Sequence, residues 1–541
     1  MAGDLAARIR ADGEAGLKID LSESAEADRT IDAAEFRELL TGRKAAKFEP
    51  SGLRLRGLRI VGPLDLSFCK IEVPIEFYES TFTDELNLAR LDIPGLDFNR
   101  CTLEAVHAPS INVAVTLSFE GSTVSEKLTL IAAQAGGDLV LERLFVTTNG
   151  GASPNLILSR SKVTGTCSLA GIDCSGMRAR GMSIDSDLVL SGAQIGNEQM
   201  PRPRLAIDMV GCTVAGDVDL DGMVAFGEVW LADFKAGRTL KLRGACASNA
   251  GSDALTLDGA QVGDDVDLEN LTANGTVRCV GSEISGALRL VECTLSSDDL
   301  ALRVEGSMIK SALTLNRARI DGGIRIFQTS TGLLNDDLGV PLADGVARPL
   351  GSWTGATSID LRGFTYARLA DSSPEDSKLR RKWLESTTDF EPESWHHLSA
   401  LYSASGQDAE ARRVLIARED DRVERMGNGP RKLWYKLFDL TVRYGYRPER
   451  AAFIGAAVVA AFAIWVACAD SLTPVENAPS SEPQPVMYAL DVFLPIIDFG
   501  LAGKWTATGA LQWAQWTVIA LGWALSTLFV AGYVRLIRDP K

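Results

Sequence analysis

Apolar-x-apolar triplets recur along the first two thirds of the chain with an almost fixed step. Leu64-Asp65-Leu66, Ile75-Glu76-Phe77 and Leu86-Asn87-Leu88 are followed later by Val218-Asp219-Leu220, Val229-Trp230-Leu231 and Leu240-Lys241-Leu242. After one longer interval come Leu255-Thr256-Leu257, Val266-Asp267-Leu268, Val277-Arg278-Cys279 and Leu288-Arg289-Leu290, and within these runs the step is eleven residues. Alternation over three residues predicts a very short strand with one buried face. Between triplets lies a second motif, a small residue, a spacer and an aliphatic one: Ala193-Gln194-Ile195, Ala260-Gln261-Val262, Ser282-Glu283-Ile284, Ala318-Arg319-Ile320. Glycine often follows, as at Gly196, Gly263 and Gly322, where a sharp bend is expected.

Eleven residues cannot bury a face alone, so units must stack. The pattern predicts a mainly β fold: a β-solenoid (β-helix) whose coils of about 22 residues pair two units, stacked at roughly 4.8 Å into a rod about 60 Å long. Breaks in the step near Thr147–Pro154, Gly196–Arg204 and Ser296–Asp299 read as projecting loops. Open solenoid ends expose strand edges and need covering. Ile31–Leu40 reads as an amphipathic capping helix, and Ile359-Asp360-Leu361 as one returning unit. The repeat resembles degenerate pentapeptide repeats, which bury a central aliphatic or aromatic residue and a preceding small one. Cys69, Cys101, Cys212 and Cys293 fall in the small slot, so they read as core packing.

Beyond the rod the period becomes helical. Trp395, Leu398, Tyr402, Gly406, Ala411 and Leu415 resemble a single tetratricopeptide-type hairpin, with the aromatics on one face, Gly406 at the turn and Ala411 permitting close approach. The second helix is expected to run on through Ala417–Met426. Two segments, near 451–469 and 516–534, are apolar and long enough to span a bilayer as helices. Arg431–Arg450 holds six basic and two acidic residues, while the Asp470–Gln515 loop holds one basic residue and five acidic ones. By the positive-inside rule both termini and the solenoid face the cytoplasm, making a multi-pass inner-membrane protein. The opening MAGDLAARIRADGEAG lacks the apolar run of a secretory signal. The chain thus divides into an N-terminal cap (1–50), the solenoid (51–330), an irregular segment with a closing strand (331–372), the helical hairpin (373–430) and a membrane domain (431–541).

Composition narrows the function classes. The formal charge is −16, yet from residue 431 onward ten Lys/Arg face eight Asp/Glu, so the body carries the negative excess. An acidic body disfavours nucleic-acid binding. Nine cysteines without paired spacing read as reduced thiols, and three histidines leave little material for metal or triad chemistry. Asp-rich units such as Gly216–Gly222 and Gly263–Asn270 suggest calcium, but their carboxylates alternate with apolar residues and read better as a solvated strand face. There is no dinucleotide fingerprint, P-loop, H-E-x-x-H, C-x-x-C or G-x-S-x-G motif. No catalytic residue, cofactor or metal site is assigned.

The most unusual stretch is Val486–Ala502, apolar but carrying Asp491, Pro495 and Asp498. Seven residues separate the two carboxylates, so a helical segment would place both on one face, an acidic ring in an oligomer. The other reading sets them at headgroup level. The degenerate coils, the YGYRP stretch (Tyr444–Pro448) and LDVFLPIIDFG (Leu490–Gly500) together resemble uncharacterised bacterial membrane proteins with a pentapeptide-repeat-like β-helix and two C-terminal transmembrane helices. The leading expectation is a membrane-tethered binding, scaffold or sensor module, with the lipid bilayer and a protein on the solenoid surface as partners. The alternative is a subunit of a homo-oligomeric two-span ion conductor, and the least favoured a polysaccharide-acting β-helix enzyme.

Overall fold

The computed structural model describes residues 2–42, 46–147, 154–199, 205–338, 351–370, 376–468, 472–475, 484–494 and 496–538. The chain forms two compact units, Met1–Asp389 and Phe390–Lys541.

The first unit is a stack of short parallel strands, a β-solenoid of about 12 turns. Each coil has four strands where the sequence pattern suggested two units. Leu96–Asn99, Thr102–Leu103, Val106–His107 and Asn112–Val113 make one coil, and each pairs in parallel with its counterpart about one coil on, as in Leu96↔Leu117, Thr102↔Thr123, Val106↔Leu128 and Asn112↔Gln134. The triplets supply one strand and the corner after it. The small-x-aliphatic motif supplies the next strand. Two such units turn the chain through four sides, which is why the step is eleven and the coil about twice that.

Both outer residues of each quoted triplet are buried, as are Ala193, Ala260, Ser282, Ala318 and the aliphatics that follow them. Identical slots stack on themselves: the rings of Phe77, Phe98 and Phe119 lie parallel, with centroids 5.3 and 4.9 Å apart. Cys101, Cys212 and Cys293 are buried as packing residues, and burial pushes their thiols up to about 12. Cys69, in the same slot, is only half-buried.

The tightest corner is not where the glycines of the motif suggested. The left-handed residue precedes the small slot, and it is Gly192, Gly259 or Gly281 in some coils but Phe68, Arg90, Arg160 or Asn270 in others. Gly263 has ordinary backbone angles, and its missing side chain serves a different end: a Cβ there would clash with the Gly237 carbonyl oxygen of the coil below. Gly196 and Gly322 do take positive φ.

Several boundaries differ from the pattern. Ile31 and Asp32 belong to a strand, Thr30–Asp32, paired with Arg59–Val61; Ile19–Asp20 pairs with Leu55–Arg56, so the N-terminal segment adds a partial coil. Helix α1 (Ala2–Glu14) precedes the two strands of this segment and helix α2 (Ala33–Thr41) follows them, capped by Asp32, whose carboxylate accepts the Ala34 N–H. Ser296–Asp299 is not a loop beside the rod. It lies inside a long strand, Thr294–Glu305, whose register shifts between Ser296 and Leu300 to absorb the extra residues. The other two breaks fall largely outside the described residues.

Solenoid pairing continues past residue 330 through Ser330–Asn335, Ala356–Asp360 and Thr365–Leu369. Ile359 thus joins a returning coil as the pattern implied. Helix α3 (Ser377–Glu385), placed by sequence with the helical hairpin, instead closes this end of the rod. Arg380 and Asp336 are both fully buried, joined by two hydrogen bonds of 2.8 and 2.6 Å, and the Trp353 indole donates to the same carboxylate. Trp353 and Trp383 pack at 5.2 Å.

Candidate functional site in the helical unit

The second unit begins with helices α4 (Pro392–Ala404) and α5 (Asp408–Glu424), which pair as a hairpin. Trp395, Leu398, Tyr402 and Ala411 are buried together, and Gly406 takes φ +74° in the turn. Leu415 is only half-buried; Val414 takes the core position beside it. α5 stops at Glu424, short of Met426, where Lys432 donates to the Glu424 and Met426 carbonyls. Helix α6 (Pro430–Val442) follows, then the YGYRP corner, then helix α7 (Glu449–Cys468).

That corner is chemically dense. Arg443 and Tyr444 both take left-handed backbone angles, unusual for side-chain-bearing residues. Arg443 reaches Asp439 of α6 at 2.6 Å and Asp420 of α5 at 3.1 Å. Burial, then the Asp420 and Asp439 charges, push the Tyr444 phenol upward, so it stays a neutral donor beside Asp420. Gly532 of helix α9 (Ala510–Arg538) packs close to Pro448 and Gly445. One corner therefore ties the hairpin to both long helices.

Both α7 and α9 are apolar enough to cross a membrane, and only 33% and 22% of their most apolar windows are buried. A core helix of a water-soluble fold would bury far more. Phe453, Ile464, Trp513, Trp516 and Trp523 stand exposed on their surfaces.

Helix α8 (Pro485–Phe493) packs between them. Tyr488 stacks near Phe462 while Phe493 lies against Gly455, so α8 runs antiparallel to α7. A Cβ at Gly522 would clash with the Phe493 carbonyl oxygen, so α9 has a glycine where α8 ends against it.

The helix stops at Phe493, which overturns the acidic-face reading. Asp491 lies in α8, while Asp498 lies in the irregular return, so the two carboxylates do not share a helix face. Each is also committed. Asp491 accepts the backbone N–H groups of Phe499, Leu501 and Ala502 at 2.6–2.7 Å, and Asp498 accepts that of Gly500. Asp491 is a clasp for the returning backbone, a role that the spacing of apolar residues cannot signal. Pro495 lies outside the described residues. The hairpin of Leu472–Pro474 with Trp505–Ala507 closes the loop between α7 and α9.

On the rod, Asp217 and Asp265 of the calcium-like units, like Asp138 and Asp187 in the same slot of other coils, bond the backbone. Asp138, Asp187, Asp217 and Asp265 accept N–H groups of Thr166, Asp217, Thr239 and Ala287 in the next coil at 2.7–3.1 Å. Asp221 takes both the backbone and the guanidinium of Arg243. These are rungs of a staircase along one corner, and alternation in the sequence could show only that they face outward.

No protein-family model, curated protein or solved structure matches the chain.

Proposed function

We propose that this protein is a membrane-tethered β-solenoid that works as a binding, scaffold or sensor module, with its rod on the cytoplasmic side of a bacterial-type inner membrane. The observation that carries the reading is the YGYRP corner. Arg443 pairs with α5 and α6 in the corner that leads into α7, so a force or ligand acting on the hairpin is passed to that corner through a paired charge network. Such a joint suits a tethered signalling or docking module. The resemblance to pentapeptide-repeat-like bacterial membrane proteins is consistent with it.

Within the tether, α8 acts as a re-entrant element. Irregular backbone at membrane depth needs its polar groups satisfied internally, and the three N–H groups held by Asp491 meet that need. With Asp491 holding the returning backbone and Asp498 off the helix face, the tether is favoured over conduction by a shared acidic face. On the rod, a docking role is favoured by Phe68, which is 71% exposed in a left-handed conformation with the Arg90 guanidinium 5.3 Å from its ring centroid. The left-handed corner is common to the coils, so it is the exposed aromatic itself that marks the surface.

The test pairs two measurements on the full chain. Reconstituted in liposomes, it should carry no more cation flux than empty vesicles, and a photo-crosslinker at Phe68 in living cells should give discrete adducts. Flux that Asp491→Asn or Asp498→Asn diminishes, with no adducts from Phe68, would replace the tether with a conductor.

A further inference from the structure

Helix α6 exposes an unusual face. Leu433, Trp434, Leu437 and Leu440 are 63, 68, 49 and 66% exposed, and at 3.6 residues per turn they form one continuous apolar arc. The opposite side, Phe438 and Val442, packs into the core around α7 and α9. Charge flanks the arc: Arg431 lies on one side and Lys436 on the other, both exposed and making no ion pair among the described residues. α7 begins only seven residues after α6 ends, so continuity with a membrane-crossing helix fixes what lies nearby.

At the N-terminal end of the arc is an open cavity of about 570 Å³, lined by Arg422 of α5, by Met426 just beyond that helix, and by Arg431, Trp434, Tyr435 and Phe438 of α6. Its chemistry is divided. Two guanidinium groups sit among three aromatic rings and a thioether, with the Arg422 guanidinium 5.8 Å from the Tyr435 ring centroid. Guanidinium groups match phosphate oxygens, and the aromatic walls match the glycerol and first methylenes of a lipid.

We propose that α6 lies in the plane of the inner leaflet with its apolar arc at the acyl boundary, and that the Arg422–Arg431 cavity takes the phosphate headgroup of an anionic phospholipid. The inference rests on the membrane tether proposed above. An amphipathic helix with large apolar residues and flanking cations binds in this way, its apolar face about 5–10 Å into the headgroup boundary. Trp434 is suited to that depth. Because Arg422 belongs to α5, the bound lipid would bridge the hairpin and the surface helix, and membrane charge would bear directly on the Asp420–Arg443 joint.

The experiment uses the full chain carrying Cys468→Ser and Leu437→Cys, labelled with an environment-sensitive fluorophore. It is reconstituted in phosphatidylcholine vesicles with or without phosphatidylglycerol. Lipids spin-labelled near the headgroup should quench the label more than lipids labelled at the chain end, and aqueous iodide should quench it weakly. Spin-labelled phosphatidylglycerol should quench better than its choline counterpart. That preference should fall about fivefold for each of Arg422→Gln and Arg431→Gln and persist in the Lys variants. Strong iodide quenching, disulfide-linked dimers of the unlabelled Leu437→Cys chain in vesicles, or an unchanged lipid preference would overturn the proposal. Loss of the chain from vesicles on alkaline carbonate washing would instead overturn the tether itself.

Discussion

Replacing Asp336 by Asn should open the C-terminal end of the rod while leaving the central coils closed. The side chain keeps its size, but the buried Arg380 guanidinium loses the carboxylate that meets it at 2.6 and 2.8 Å. Both residues are fully shielded from water, so solvent cannot compensate. Removing one partner of such a pair costs about 3–5 kcal/mol. In a stack where each coil touches only its neighbours, that cost is felt locally. Hydrogen–deuterium exchange is the assay. Amides of 356–369 and 377–385 should lose roughly 10²- to 10⁴-fold in protection, while those of 96–146 should not change. The double variant Asp336→Leu with Arg380→Met, which removes both charges, should recover most of the loss. A single variant within tenfold of wild type, or a double variant as open as the single, would refute the reasoning.

Leu268→Ala should destabilise the rod by about 2–5 kcal/mol, because Leu268 is 1% exposed. Asp267→Ala next to it loses only the hydrogen bond that its carboxylate accepts from the Glu269 N–H and should cost about 1 kcal/mol or less; thermal melts of the two variants make the comparison. Burial, with the nearby Glu76 charge, raises the Asp97 carboxyl from 3.8 to about 6. The folded state therefore holds the proton more tightly, and its benefit is full below pH 3.8 and lost as pH rises to about 6. Asp97→Asn should accordingly raise the melting temperature at pH 7, with a gain that disappears near pH 4. Gly522→Ala should lower the melting temperature in detergent, since its methyl group would displace the end of α8.

The stacked core was legible because its chemistry is periodic. Leu240, Val266 and Leu288 stand in one column, and any reader of the step of eleven residues can find them. The four-sided coil was less so, since the left-handed corner accepts Arg, Phe or Asn as well as Gly and so leaves no residue signature. Single contacts between distant residues left no trace. Arg380 with Asp336 spans 44 positions, and nothing in either local sequence marks it as buried. The helical unit divides in the same way. Its long apolar helices and the Trp395–Tyr402 face follow from pattern, whereas Asp491 looks like a free acid until the chain folds back and places three N–H groups against it. A carboxylate in an apolar stretch signals only that something must meet it; what meets it is tertiary.

We propose a cytoplasmic rod tethered through helices α7 and α9. Its most direct test is thiol labelling of intact cells with a membrane-impermeant maleimide, in a Cys468→Ser background. Val475→Cys, beside the short hairpin between the two helices, should react from outside. Val115→Cys, exposed on the rod, should react only after the cells are permeabilised. Labelling at 115 in intact cells, or protection at 475 with labelling only after permeabilisation, would contradict the account.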